Sequence, residues 1–428
     1  MRRSQAPLPV RIYSAAANLV APLAYRRVAA KLEAQGTSPA RLKERMGHAT
    51  LPRPYGPLVW FHAASVGESL SVLRVIDEMG RTAPDLSFLI TSGTATSAQI
   101  LAKRVPDRTQ HQFAPLDSRR AVDRFLAHWA PTAAVFVESE LWPQMLRRTQ
   151  AAGVPMALVN ARLSDQSARN WQRFARTAQH LMSHFEIIHC QDARTAHHLS
   201  TLGLNRAEVG VNLKSLSGPL PYEAQQFAQF QGRIDGRFVW LAASTHPGED
   251  EIVLTAHLQV LKKDPDALLI IAPRHPERAE TIEALIKDAG LTSARRSKNG
   301  VVLPDIQVYL ADTLGEMGLW YGLSPITCLC GSFSDVGGHN PYEPAYAGSA
   351  LLHGSRYANF APAYADLSAA NASQELSDAT ELAQAILRFH QDAEQLKAQR
   401  HAAATFARAQ EDVLQSFSQT LSKALGLG

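Results

Sequence analysis

Short apolar runs alternate with amphipathic stretches along most of the chain. In the first half the runs are Leu58–Ser65, Leu86–Ser92, Gln110–Pro115, Ala133–Glu138, Met156–Ala161 and Phe185–Gln191. Runs this short, bounded by turn residues, predict buried strands. Between them Ser69–Thr82, Ser97–Lys103, Ser118–Ala130 and Trp142–Ala152 carry the period of amphipathic helices. The pattern pauses at Ser217-Gly-Pro-Leu-Pro221, a linker by composition. It restarts with Phe238–Ser244, Ala267–Pro273, Ile306–Leu310, Ile326–Gly331 and Ala350–Gly354, and the last 40 residues read as helix. Alternating β and α elements predict parallel sheets covered on both faces. The spacing places them in two α/β domains of about 200 residues each.

The 428 residues are 46% hydrophobic and 19% charged, enough apolar content for a large core without disulfides or metals. A net charge of +4 is too small for a protein that binds nucleic acid by neutralising phosphates, so no nucleic-acid partner is expected. The excess is uneven. Residues 1–46 hold nine Lys or Arg against two Asp or Glu, which leaves the rest of the chain at −3. Within that basic start the 14 residues Ile12–Tyr25 carry no charge, and Arg11 and Arg26-Arg27 bracket them. A helix needs about 20 residues to span a bilayer, and no signal-peptide pattern is evident. Two readings stay open: an interfacial helix whose arginines meet anionic headgroups, or a helix packed on the protein. Cys190, Cys328 and Cys330 lie in or beside apolar runs and are expected as buried thiols in a reducing compartment.

Two Rossmann-like domains facing one another would leave a cleft at the C-terminal ends of their strands, where ligands bind. Polar motifs cluster at those ends. The first strand runs into Ser65, Gly67 and Glu68; Gly67 permits a tight turn, and Glu68 is either a first-turn acid or a cleft carboxylate. The fourth strand ends with Glu138 and Glu140, two apart and so on one side of a strand, serving a cleft or capping the next helix. Arg162 follows the fifth. In the second half Ser244, Thr245 and Arg274 with His275 end neighbouring strands and suit an anion. The alternative for Arg274 is a surface salt bridge. Gly315 and Met317 follow the next strand. The loop from Gly331 through Gly337, Gly338, His339 and Asn340 to Glu343 lets the backbone approach a ligand and opens a helix near Pro341, a nucleotide-site pattern. Asp264-Pro-Asp266 precedes a strand and reads as a turn, so no metal is expected.

These motifs resemble the 3-deoxy-D-manno-octulosonic acid (Kdo) transferases of lipid A biosynthesis. The matching residues are His62-Ala-Ala-Ser-Val-Gly-Glu68, Val137-Glu-Ser-Glu-Leu-Trp-Pro143, Asn160-Ala-Arg-Leu-Ser164, Asn212-Leu-Lys214, Ser244-Thr-His246, Ala272-Pro-Arg-His275, Leu314-Gly-Glu-Met-Gly-Leu-Trp-Tyr321 and Gly337-Gly-His-Asn-Pro341 with Glu343. The resemblance implies an α/β protein of GT-B glycosyltransferase architecture, two Rossmann-like domains across a cleft. It implies a membrane-associating segment at 1–46, an acceptor domain at 47–213 and a CMP-sugar domain with C-terminal helices at 214–428. The implied reaction is inverting, metal-independent transfer of Kdo from CMP-Kdo to a lipid A precursor at the cytoplasmic face of the inner membrane, with no cofactor. Glu68 is then the base. Ser244, Thr245, Arg274, His275, Gly315, Met317, Gly338, His339, Asn340, Glu343 and Lys214 would hold the donor, Lys214 through either the Kdo carboxylate or the phosphate. Ser65, Gly67, Glu138, Glu140 and Arg162 would lie on the acceptor side. Another nucleotide-sugar transferase, an epimerase of the same architecture, or a two-lobed ligand-binding protein are the alternatives.

Overall fold

The computed structural model describes residues 6–139, 141–216 and 218–427, with the side chain of Lys214 outside the description. The chain forms two compact units, residues 1–216 with 412–428, and residues 217–411. The first unit is a seven-stranded sheet of β1 (Leu58–His62), β2 (Ser87–Ser92), β3 (Thr109–Phe113), β4 (Ala133–Val137), β5 (Met156–Ala161), β6 (Ile187–Cys190) and β7 (Ala207–Val209). Its order is β3-β2-β1-β4-β5-β6-β7, and every pairing is parallel. Residues on β1 alternate between two cores. Leu58 and Trp60 join one layer with Phe125, Phe136 and Leu146, while Val59 and Phe61 join another with Ile76, Ile90 and Val135. Burial on both faces explains why the strands read as continuous apolar runs.

The second unit holds β8 (Val239–Thr245), β9 (Leu268–Pro273), β10 (Ser293–Arg295), β11 (Val308–Leu310), β12 (Ile326–Leu329), β13 (Ala350–His353) and β14 (Ser373–Glu375). Its order is β10-β11-β9-β8-β12-β13-β14, again parallel. Trp240 and Ala242 face one core, and Leu241 and Ala243 face the other. The three cysteines are buried free thiols. Asp264 closes the expected turn, its Oδ1 accepting the Asp266 N–H at 3.1 Å.

Two boundaries differ from the sequence reading. The last residues do not belong with the second unit: the long helix Ala393–Ala424 ends in the first unit, where Leu414, Phe417 and Leu421 join the core of Val59 and Phe61. Lys214 likewise falls in the first unit, on the short turn Leu213–Leu216. At the start of the chain the first helix packs on the first unit, one of the two readings left open. The helix Leu8–Ala34 buries Val10, Ala21 and Leu32, and Asn18 accepts the Arg119 N–H at 2.7 Å. Arg41 pairs with the fully buried Glu44 at 3.1 Å, and Arg45 bonds the Ala114 carbonyl. Part of the N-terminal charge therefore holds the first unit together. Among the described residues no helix is long and apolar enough to cross a membrane.

Candidate active site

Strand order reverses between β1 and β4 in the first unit and between β8 and β12 in the second. Open α/β sheets bind ligands outside the carboxyl ends of strands at such points. Most of the residues singled out from the sequence stand there.

In the first unit β1 runs through Ala63 and Ala64 into the helix Val66–Ser71. Ser65 caps that helix, its Oγ accepting the Glu68 N–H at 3.3 Å and its hydroxyl donating to Glu68 Oε1 at 2.7 Å. Glu68 Oε2 accepts the Ala64 N–H at 2.9 Å. The arrangement is a capping box shifted by one residue, because the carboxylate reaches the N–H before the N-cap. The carboxylate caps its helix, and at 8% exposure it keeps lone pairs for a ligand. The turn does not use the conformational freedom of Gly67, which is absent from the positive-φ residues. A Cβ there would meet nothing within 4 Å, so the glycine leaves bare surface beside Glu68.

β4 ends at Val137, and Glu138 turns left-handed at φ 57°. The strand alternation expected to align Glu138 with Glu140 therefore stops before either, and Glu140 lies outside the described residues. The Glu138 carboxylate approaches the Asn160 amide at 3.5 Å. Asn160 is itself left-handed at φ 53° and fully buried, and its Oδ1 accepts the Leu213 N–H at 3.2 Å. It thus ties the end of β5 to the turn carrying Lys214. Sequence reasoning missed this role; the available signal was an asparagine, tolerant of left-handed backbone, near the end of an apolar run. Arg162 is exposed, and its carbonyl accepts the Ser139 hydroxyl.

In the second unit Ser244 interrupts the end of β8 at φ 59°, beside the fully buried Thr245. The following turn is held by Glu249, a residue the sequence reading passed over. Glu249 is 1% exposed; it accepts the N–H groups of His246 at 3.0 Å, Gly331 at 2.7 Å and Phe333 at 3.0 Å. One carboxylate so fastens the β8 turn to the loop after β12. Across that junction His246 Nε2 and His339 Nε2 are 2.9 Å apart with nearly parallel rings, so one donates to the other. Burial, then the charges of His246, Arg274 and His275, push the His339 imidazole down to about 4. Burial also lowers His246. Arg274 and His275 are exposed, and among the described residues Arg274 forms no ion pair. The cluster offers an anion the Arg274 guanidinium, beside two imidazoles, His246 and His339, that burial holds toward the neutral form.

The glycine loop works differently from the sequence expectation. A Cβ on Gly331 would stand 2.7 Å from the His339 ring, and one on Gly337 2.8 Å from the Asn359 amide. These glycines admit contacts within the protein and need not be reserved for a ligand. Gly338, at φ 79°, lies against Tyr357 in the same way. The helix after Pro341 is only Tyr342–Tyr346. Asn340 accepts the Tyr342 N–H at 3.1 Å and donates to Glu343 Oε1 at 3.2 Å, which aims the half-buried carboxylate. Met317 opens the helix Met317–Leu323 against the core of Trp320, and Gly315 turns at φ 86° into open space.

A family model described as 3-deoxy-D-manno-octulosonic-acid transferase (kdotransferase) matches residues 40–216. A probable mitochondrial 3-deoxy-D-manno-octulosonic acid transferase from Arabidopsis thaliana is 32% identical over 398 residues, 89% of this chain and 86% of that one. The chain belongs to the Kdo transferase family. The 3-deoxy-D-manno-octulosonic acid transferase of Haemophilus influenzae is 33% identical over 331 residues, 75% of this chain and 76% of its own. A glycosyltransferase structure from Rickettsia africae shares the GT-B fold at a TM-score of 0.59 and 11% identity, over 87% of this chain and 99% of that one. As a Kdo transferase the chain is a glycosyltransferase, in agreement with the family resemblance read from its motifs.

Proposed function

We propose that this Kdo transferase moves Kdo from CMP-Kdo to a lipid A precursor, lipid IVA, in lipopolysaccharide core biosynthesis. The reaction is an inverting single displacement. An acceptor hydroxyl attacks the anomeric carbon of Kdo, its proton passes to Glu68, and the bond to the CMP phosphate breaks with its electron pair on the phosphate. The observation that carries this reading is the Glu68 capping box, which fixes a carboxylate at the strand switch point through the Ala64 N–H and Ser65. General-base assistance of this kind is worth about 10²–10⁴-fold.

The second unit takes the donor. Arg274 meets the charge growing on the phosphate with the neutral His246–His339 pair beside it as a hydrogen-bond donor, and such fixed donors act on the transition state. Glu343, aimed by Asn340, accepts ribose hydroxyls. The backbone from Gly315 to Met317 faces the cytosine. No metal enters the step. Lys214 and the loop of Glu138 and Arg162 serve the sugar or acceptor side.

The protein works at the cytoplasmic face of the inner membrane as a peripheral protein. The face of helix Leu8–Ala34 opposite Val10 and Ala21 supports this, because Leu8, Ile12, Leu19 and Leu23 are 64%, 61%, 83% and 54% exposed there. Arg11, Arg26, Arg27 and Lys31 are exposed on the same helix. Such a stripe with basic flanks suits an anionic interface. Incubation of the full chain with CMP-Kdo and tetra-acylated lipid A precursor, followed by mass analysis, tests the reading. A product heavier by whole Kdo residues is expected; unchanged acceptor overturns it.

A further inference from the structure

An apolar groove of about 490 Å³ opens in the first unit, within the size range of ligand sites. Val10 and Leu181 form its buried floor, and Tyr13, Trp142, Trp171 and Phe174 its walls. Trp142 is 42% and Phe174 54% exposed. Tyr13 directs its hydroxyl to the half-buried Asp117. Asp117 in turn accepts the N–H groups of Gln144 and Met145 at 3.1 and 2.7 Å, which fixes the helix beside Trp142.

We propose that this groove seats one acyl chain of the acceptor, an inference that rests on the acceptor reading above. Three observations point to a hydrocarbon chain rather than a sugar or a nucleotide. The walls are aromatic and aliphatic, with few polar groups converging on the space. One wall belongs to the helix Leu8–Ala34, whose outer stripe is apolar and flanked by basic residues, so the groove adjoins the surface best suited to lipid. The strand register brings the groove level with the proposed base. His62 of β1 pairs with Phe136 of β4. Beyond the carboxyl ends of these neighbouring strands, at His62 and Val137, one segment enters the turn of Ser65 and the other passes through Ser139, in the groove wall. A chain lying in the groove would orient the attached sugar at the carboxyl edge of the same sheet.

The test uses full-length enzyme and two acceptors, the tetra-acylated precursor and its fully deacylated disaccharide bisphosphate. Phe174→Ala removes one wall, and Thr177→Trp fills the groove. Each is expected to raise KM for the acylated acceptor about tenfold, the scale of losing a few buried carbon contacts, with kcat within about twofold and KM for the deacylated acceptor unchanged. Acceptor chains brominated at mid-length are expected to quench tryptophan fluorescence in the wild type and much less in the Trp142→Phe, Trp171→Phe double variant. Equal KM changes on both acceptors, no change on either, or quenching that survives the double variant overturns the groove assignment. So does a change in sedimentation without a change in KM, which would mark the groove as a contact between copies. Wild-type enzyme that modifies neither acceptor overturns the acceptor reading itself, and the groove assignment with it.

Discussion

A carboxylate that caps its own helix has part of its hydrogen-bonding capacity already committed, which separates its structural role from its chemical one. Glu68→Gln keeps an oxygen for the Ala64 N–H and should leave the fold and CMP affinity unchanged. Transfer should fall by about 10²–10⁴-fold as the base is lost; calorimetric CMP binding beside a turnover assay checks both, and near-normal turnover removes Glu68 from the role. Glu249 is the opposite case, a carboxylate bonded only to backbone N–H groups of two loops. Glu249→Gln places an amide among those donors, so CMP affinity should drop about tenfold while the deacylated acceptor binds as before, at a cost in stability of about 1–3 kcal/mol. Asn160 combines left-handed backbone with a hydrogen bond to Leu213. Asn160→Ala loses both advantages and should cost about 1–3 kcal/mol in chemical denaturation. Asn160→Gly keeps the backbone and should cost less.

At the scale of the element, the N-terminal helix has two apolar stripes with separate duties. Val10, Ala21 and Leu32 recur every 11 residues and are buried, while Leu8, Ile12, Leu19 and Leu23 run along the other side exposed. Leu19→Glu with Leu23→Glu should release the protein from anionic vesicles in a flotation assay, with the thermal midpoint unchanged. Val10→Asp should lower that midpoint, because it buries a charge against Phe125 and Trp129. Vesicle binding that survives the double glutamate variant removes the helix as the membrane contact. Three of the four edge strands were the elements least legible in sequence, β3 alone falling in a run read as a strand. β7, β10 and β14 have three residues each and are partly exposed, with Ala-Glu-Val, Ser-Ala-Arg and Ser-Gln-Glu in place of an apolar run. A strand with one neighbour and one solvated side needs no continuous hydrophobic stretch, so nothing in its composition announces it.

For the whole molecule, buried neutral histidines set the response to acid. Burial and the Arg41 charge lower His111 to about 3. Burial lowers His257 to about 4, where it bonds Trp240 at 3.2 Å and the Gln307 carbonyl at 3.0 Å. An unfolded histidine titrates near 6.5 and then binds a proton the native one refuses. The contribution is therefore complete above about pH 6.5 and is lost as pH falls toward the folded values, at up to about 1.4 kcal/mol per pH unit for each residue. Thermal midpoints should fall steadily between pH 7 and 4.5. A flat profile over that interval would show that these rings are protonated in the native state.

The alternation of α and β elements, the central strands of both sheets and the family motifs were determined by local pattern, because a strand buried on both faces must be apolar along its length and a helix on a sheet must be amphipathic. Tertiary structure alone decided what shares a neighbourhood. The last turns of helix Ala393–Ala424 rejoin the first unit, since Leu414, Phe417 and Leu421 fill its core beside Val59. Glu249 meets Gly331, 82 residues away, since two adjacent parallel strands end together. Arg41 and Arg45, counted in sequence with the basic segment 1–46, are held within the first unit by Glu44 and Ala114. Pattern reports which side of an element is apolar; only the packed chain specifies which distant polar groups must satisfy one another once that side is covered.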